Sequence, residues 1–501
     1  MKVFLLHPDR EVEAQEPPPQ ADALVADLDV DTLIGAMAGG DRYLWDVAKQ
    51  TLLASLTGPD TITYRQRVLA DCLDHPGVVR KLYDVAVEAI EARRKVFYVT
   101  RHDTPERVVS RSVQMLTALM GSVRRLRALA DDHATAFRSE GFTGLFARIA
   151  DELDDDYLAA AGEHLAELDF RRGTLFSGEL GRGNRGVSYV LHRLPRRRWF
   201  DVVSGRGGPR YSFQIPDRDE AGFQALGEIR SKGLNEAANA IGQDADHVVS
   251  FFTVLRFELA FYLGCVNLRD QLAAHGEPVC FPTPVRQGED AFTTRGLYDV
   301  CLALRTDGVV GNDVDADGST LVMVTGANQG GKSTFLRSVG LAQLMMQCGL
   351  FVAATQLRAT VAQGVFTHFK REEDATMTHG KFDEELARMS DIADQITPGA
   401  LLLCNESFGS TNEREGSQIA RDVIDAMTGN DIRVVFVTHL FDLAHGLHEH
   451  RAPTTVFLRA ERRPDETRTF RVVPGEPLPT SYGEDSYRRI FGTDAATAVS
   501  A

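Results

Sequence analysis

The stretch LVMVTGANQGGKSTFLRSVGLAQLMMQ (321–347) constrains the fold more than any other part of the chain. Leu321 to Thr325 reads as a short buried strand. It runs into Gly326-Ala-Asn-Gln-Gly-Gly331-Lys332-Ser333, which fits G-x-x-x-x-G-K-[ST], and an apolar helix follows at once. Glycines in such a loop let backbone N–H groups turn onto phosphate oxygens, and the helix adds the positive end of its dipole. The expected nucleotide ligands are Gly326, Asn328, Gly330, Gly331, Lys332, Ser333 and Thr334. Lys332 would reach the β- and γ-phosphates and Ser333 would ligate magnesium, so ATP and Mg²⁺ are the expected cofactors.

A phosphate loop needs partners further along. From about residue 291 strand and helix patterns alternate, which predicts an α/β domain with a parallel sheet. ALLLCNE (400–406) and IRVVFVTH (432–439) read as buried parallel strands with polar carboxyl ends. Ligands of such sheets bind at those ends. Glu406 is therefore the candidate to position or activate an attacking water. His439 is the candidate to donate to the γ-phosphate; a capping or core histidine is the other reading. Asn405 stands where such strands usually carry aspartate. It keeps a carbonyl acceptor but loses the charge. Ser333, Asn405 and Glu406 are the expected oxygen set around the metal, with slowed hydrolysis as the consequence.

The chain before this domain reads differently. Segments 78–98, 110–132 and 144–168 repeat apolar residues three to four apart, as surface-packed helices do. Helical pattern resumes at 221–241 and continues through the very apolar 248–272, which predicts a long central helix. Between them, residues 171–210 hold ten arginines and eight glycines against only Glu179 and Asp201, with β-prone pieces at VSYVLHRL and RYSFQI. This predicts a small basic β-rich insertion over about 171–217. The net charge of −16 rules out a generally basic nucleic-acid coat, so any DNA contact must be local. Arg193, Arg196, Arg197, Arg198, Arg206 and Arg210, with Trp199 and Tyr211 near, are the candidates; pairing with acidic runs such as 150–157 is the alternative. The six cysteines form no C-x-x-C pair and read as reduced core residues. No signal peptide and no run of 18 uninterrupted apolar residues is seen, which predicts a cytoplasmic protein without a membrane span.

TGANQGGKSTFLRSVGLAQLMMQCGLFVAA (325–354) resembles the ATPase domain of the MutS DNA mismatch repair family, with Asn328 at a matching place in the loop. NESFGSTNEREGSQIA (405–420) is similar to that family's Walker B strand and loop, matching Thr411 and Gly416. VTHLFDLA (437–444) resembles its histidine segment, and SYGEDSYRRIFG (481–492) its last helix. The likeness is specific over roughly 300–492 and looser before. It implies an α/β P-loop (ABC-like) ATPase domain at 291–501, preceded over 1–290 by a mainly α-helical core and lever region carrying the β insertion. It also implies a homodimer whose composite ATP sites control a DNA clamp in repair or recombination. Within THGKFDEELARM (378–389), Phe382 and Glu385 match the family's signature helix, while its serine is replaced by Gly380 or Lys381. Those two are the expected residues reaching the partner's γ-phosphate; Lys381 as a solvated first-turn residue is the alternative. Phe382, Leu386, Met389, Ala393 and Ile396 are expected to form the core face of this helix. Because the roughly 300 residues ahead of the ATPase already read as helical core and levers, the family's mismatch-reading and connector domains are not expected here. Two other readings stay open: a nucleotide-gated scaffold with very slow hydrolysis, and an ABC-like ATPase acting on a partner other than DNA.

Overall fold

A computed structural model describes residues 1–12, 17–18, 20–96, 104–171, 173–194, 214–371, 380–450, 452–463, 465 and 467–479. Their contacts divide into two compact units. One comprises Met1–Phe4, Gly77–Arg138 and Phe142–Leu259; the other comprises Leu5–Pro76, Ser139–Gly141 and Ala260–Ala501.

The second unit opens with helices α1 (Ala21–Asp27), α2 (Val30–Ala38), α3 (Arg42–Leu53) and α4 (Pro59–Asp74). Contact grouping thus places the first 76 residues, Met1–Phe4 apart, with the α/β region rather than with the helices that follow. Hydrogen bonds explain it. Gln347 Nε2 donates to Leu56 O at 3.0 Å, Gln66 Nε2 to Pro282 O at 3.0 Å, and buried Arg65 Nε to Leu6 O at 2.7 Å. Each satisfies a backbone carbonyl that burial would otherwise strand.

The first unit is helical: α5 (Pro76–Val96), α6 (Pro105–His133), α7 (Glu140–Glu152) and α8 (Asp155–Leu168). The predicted single segment 144–168 is two helices. Asp154 breaks it by capping α8, its carboxylate accepting from Tyr157 N at 2.6 Å. A hairpin of β1 (Leu175–Leu180) and β2 (Gly186–His192) follows, so part of the predicted β insertion is seen; residues 195–213, including five of its ten arginines, lie outside the described residues. The next helix, α9 (Glu220–Ala274), runs 55 residues. By length and composition it is the one helix among the described residues apolar enough to cross a membrane, although Arg256, Glu258 and Arg269 interrupt its apolar run. Its apolar window is 67% buried within the protein, as in the core helix of a folded domain.

After α9 the second unit resumes. Strands β3 (Thr283–Val285), β4 (Phe292–Leu297), β5 (Asn312–Asp315) and β7 (Gln356–Thr360) make a four-stranded sheet in the order β3-β7-β4-β5. The larger sheet holds β6 (Leu321–Gly326), β8 (Val365–Phe369), β9 (Leu401–Asn405), β10 (Arg433–Val437), β11 (Thr455–Arg462) and β12 (Arg468–Pro474), ordered β12-β11-β6-β10-β9-β8. All its pairings are parallel except β11 with β12. Helices α10 (Val300–Ala303), α11 (Lys332–Gln347), α12 (Lys381–Gln395), α13 (Glu413–Gly429) and α14 (Phe441–His450) complete the unit.

The central strands are buried along nearly their whole length, as parallel strands covered on both faces are. Met323, Leu402, Cys404, Phe436, Ile424 and Met389 form one apolar cluster among them. On α12 the core face differs from the expected one. Met389 is buried and Phe382 and Ile396 pack partly, but Leu386 is 36% exposed and Ala393 faces solvent. Glu385 and Ile392 take the inner positions.

Candidate functional site

Parallel pairing of β6 with β10, and of β10 with β9, brings three strand ends to one edge. The phosphate-loop sequence leaves β6 there, Asn405 ends β9, and His439 lies two residues past β10. The loop turns through left-handed conformations, with Gly326 at φ 104 and Gly331, the N-cap of α11, at φ 93. A side chain at either would be strained, and a Cβ on Gly326 would stand 2.9 Å from the Ala460 amide. Gln329 also has positive φ, at 58. The following helix places its first N–H groups on this concavity.

Lys332 is buried, and its Nζ donates to Gly326 O and Ala327 O, each at 3.0 Å. Burial pulls its pKa down, the carboxylate of Glu406 acts against that, and the Arg468 guanidinium adds to it. Ser333 Oγ donates to Asn405 Oδ1 at 2.9 Å. Glu406 follows in a left-handed conformation, φ 54, with its N–H on Val437 O at 2.8 Å. Non-glycine residues rarely adopt that geometry unless their surroundings fix it. Glu406 Oε2 lies 3.9 Å from His439 Nδ1, too far for a direct hydrogen bond and suited to a bridging water. Lys332, Ser333, Asn405, Glu406 and His439 therefore meet on one edge. Gly326, Asn328, Gly330, Gly331 and Thr334 belong to the same loop and first helical turn, and Asn328 is exposed at its tip.

Gly380 is the N-cap of α12 and Lys381 its first residue. Neither makes a hydrogen bond or ion pair with the phosphate loop among the described residues. Arg193, the one candidate DNA contact described, bonds Glu167 at 2.7 Å and lies 3.8 Å from Glu163, both on α8. Arg196, Arg197, Arg198, Arg206 and Arg210 lie outside the described residues, as does the segment 481–492.

Three residues escaped the sequence reading. His368, fully buried in β8, faces Glu385 O of α12 through Nε2 at 3.0 Å and Ser407 Oγ through Nδ1 at 2.7 Å, and stacks on Phe408. Ser410 Oγ adds a bond to Glu385 Oε1 at 2.9 Å. Lys370, just past β8, donates from Nζ to Gly409 O at 3.3 Å. A Cβ built on Gly409 would lie 3.2 Å from His439 Cε1 and 3.5 Å from Lys370 Nζ, so both side chains converge there. Arg468 opens β12 on the other flank of the loop, with Nη1 3.4 Å from Gln329 Oε1. None has a local motif; only the sheet order assembles them.

A mixed helical and α/β protein, with a phosphate-loop sequence at the carboxyl edge of a mostly parallel sheet, is the class these elements define. Two family descriptions match the chain: the MutS2 N-terminal domain over residues 57–275 and MutS domain V over residues 322–489. The chain belongs to the MutS family. Among similar curated proteins, the DNA mismatch repair protein MutS of Chloroflexus aurantiacus is 31% identical over 154 residues, 30% of this chain and 16% of that protein. MutS of Caldanaerobacter subterraneus subsp. tengcongensis is 27% identical over 220 residues, 43% and 25% of the two chains. The DNA mismatch repair protein msh3 of Aspergillus fumigatus is 32% identical over 199 residues, 38% and 18%. The chain thus aligns with a quarter or less of each relative's length.

Proposed function

We propose that this chain binds and hydrolyses ATP at the edge of its larger sheet and uses that cycle to control contact with DNA. The observation that carries the reading is the Ser333–Asn405 hydrogen bond of 2.9 Å, with Glu406 and His439 beside it. It brings the last strand residue of one motif onto the first helical turn of another, 72 residues away in sequence.

The oxygen donors fit Mg²⁺, a hard cation that takes few protein ligands and keeps several waters. Ser333 would ligate it and Asn405 would accept from its water shell. The metal, when bound, neutralises charge on the β- and γ-phosphates. The chain's own groups do the rest. Lys332 leaves the loop carbonyls for phosphate oxygens. Glu406 orients the attacking water and takes its proton, at the spacing a single water spans from His439. His439 donates toward the γ-phosphate as charge builds there. Gly380 and Lys381 head a helix that makes no hydrogen bond or ion pair with the phosphate loop among the described residues, which suits a role across a homodimer. DNA, gripped without sequence preference by the basic 171–217 segment, is the proposed partner, in DNA mismatch repair or recombination, in the cytoplasm.

Asn405 favours a second reading, a switch that holds nucleotide and turns over very slowly. Steady-state Mg-ATP hydrolysis with and without duplex and branched DNA separates the two. Turnover that DNA alters supports the motor. Tight nucleotide binding without turnover, relieved by Asn405→Asp, supports the switch. Turnover indifferent to DNA at every salt concentration would point to another partner.

A further inference from the structure

The flank of the phosphate loop away from Asn405 and Glu406 is formed by β11 and β12. Strand β11 runs parallel to β6, pairing Ala460 with Gly326. Strand β12 returns antiparallel, so its first residue, Arg468, stands at the same carboxyl edge as the loop. The approach is close: a Cβ on Gly331 would lie 3.2 Å from Phe470 O.

Arg468 Nη1 makes one long contact, 3.4 Å, to the side chain of Gln329 at the loop tip. Its Nε and Nη2 are buried and have no hydrogen-bond partner among the described residues. Those two atoms form the side-on fork of a guanidinium, the pair that matches two oxygens of one phosphate. Buried charged donors without partners are costly, and such a pair beside an anion-binding loop has a natural acceptor. A like charge is also at hand, since Arg468 adds to the downward pull on the Lys332 pKa. An anion between the two cations relieves both conditions.

We propose that Arg468 is a phosphate-binding residue of the nucleotide site, its Nε–Nη2 fork donating to the phosphate chain from the β12 side while Lys332 serves it from the loop. The inference rests on the reading of this loop as a nucleotide site. It adds a residue that the loop motif does not contain.

Calorimetric binding of ADP, inorganic tripolyphosphate and adenosine to the full chain tests it, comparing wild type with Arg468→Met and Arg468→Lys. The expected result is a loss of roughly 10- to 100-fold in ADP and tripolyphosphate affinity for Arg468→Met, with adenosine affinity unchanged. Arg468→Lys should recover part of the loss, because charge survives and the fork does not. The thermal midpoint without ligand should hold or rise in Arg468→Met, since an unpaired buried cation is removed; a structural arginine would lower it. Equal ADP and tripolyphosphate affinity in wild type and Arg468→Met would overturn the role of Arg468. So would an equal loss toward adenosine, which would assign the contact to the base or ribose. A wild-type chain that binds neither ADP nor tripolyphosphate would instead overturn the reading of the loop itself.

Discussion

The hydroxyl of Ser333 donates to the side-chain carbonyl of Asn405 across 2.9 Å, joining the first turn of α11 to the end of β9. An aspartate there would accept the same bond and bring a negative charge. Asparagine preserves the geometry and omits the charge.

That difference has a measurable consequence for metal use. Asn405→Asp should lower the Mg²⁺ concentration giving half-maximal ATP turnover by roughly tenfold, equivalent to about 1.4 kcal/mol. A magnesium titration of steady-state hydrolysis reads it. An unchanged midpoint would mean the side chain at 405 contributes nothing to the metal's environment.

His368 makes stability depend on acid pH. A backbone carbonyl can only accept, so Nε2, facing Glu385 O, carries a ring proton, while Nδ1 lies 2.7 Å from Ser407 Oγ, whose hydroxyl donates to His368 O at 2.8 Å. Burial, with the Arg388 guanidinium adding to it, holds the pKa down to about 4 against an ordinary 6.5. The folded state then binds fewer protons than the unfolded state between those values. The contribution is complete above about 6.5 and is lost as pH falls toward 4, by about 3 kcal/mol in total. Replacing it by glutamine, which keeps a donor and an acceptor but does not titrate, should flatten this limb. Denaturant unfolding of both proteins from pH 7 to pH 4 provides the comparison; parallel curves would refute it.

Packing over the central sheet sets a third expectation. A Cβ at Gly340 of α11 would meet Leu403 Cδ1 at 2.6 Å and Leu28 Cδ2 at 2.8 Å. Helix propensity favours Gly340→Ala by about 1 kcal/mol, while overpacking costs about 1–3 kcal/mol. The variant should therefore melt lower than wild type. Gly121, exposed on α6 with nothing within 4 Å of an added Cβ, is the control, and Gly121→Ala should hold or raise the midpoint. The opposite order would mean helix propensity, not space, governs Gly340.

Local pattern carried part of this site and could not carry the rest. Gly326 to Ser333 is contiguous, and Glu406 and His439 each end an apolar run, so their place at a parallel-sheet edge follows from strand logic alone. Arg468 reaches the same edge only because β12 turns back beside β11, and nothing in TRTFRVV announces it. His368 sits inside an ordinary β-prone run, and its value comes from Ser407 and Glu385, 39 and 17 residues away. On α12, Phe382, Met389 and Ile396 pack inward as the spacing predicts, but spacing does not reveal that Glu385 is held inside by Ser410 while Leu386 turns outward. Long-range hydrogen bonds, not spacing, likewise tie α4 and the chain near Leu56 to the α/β unit.

The most direct measurement is single-turnover ATP hydrolysis by wild type and Glu406→Gln, with ATP binding followed in parallel. If Glu406 works on the attacking water, the variant binds ATP with wild-type affinity and hydrolyses it about 10²- to 10⁴-fold more slowly. Hydrolysis at the wild-type rate in Glu406→Gln would contradict the assignment of catalysis to this edge of the sheet.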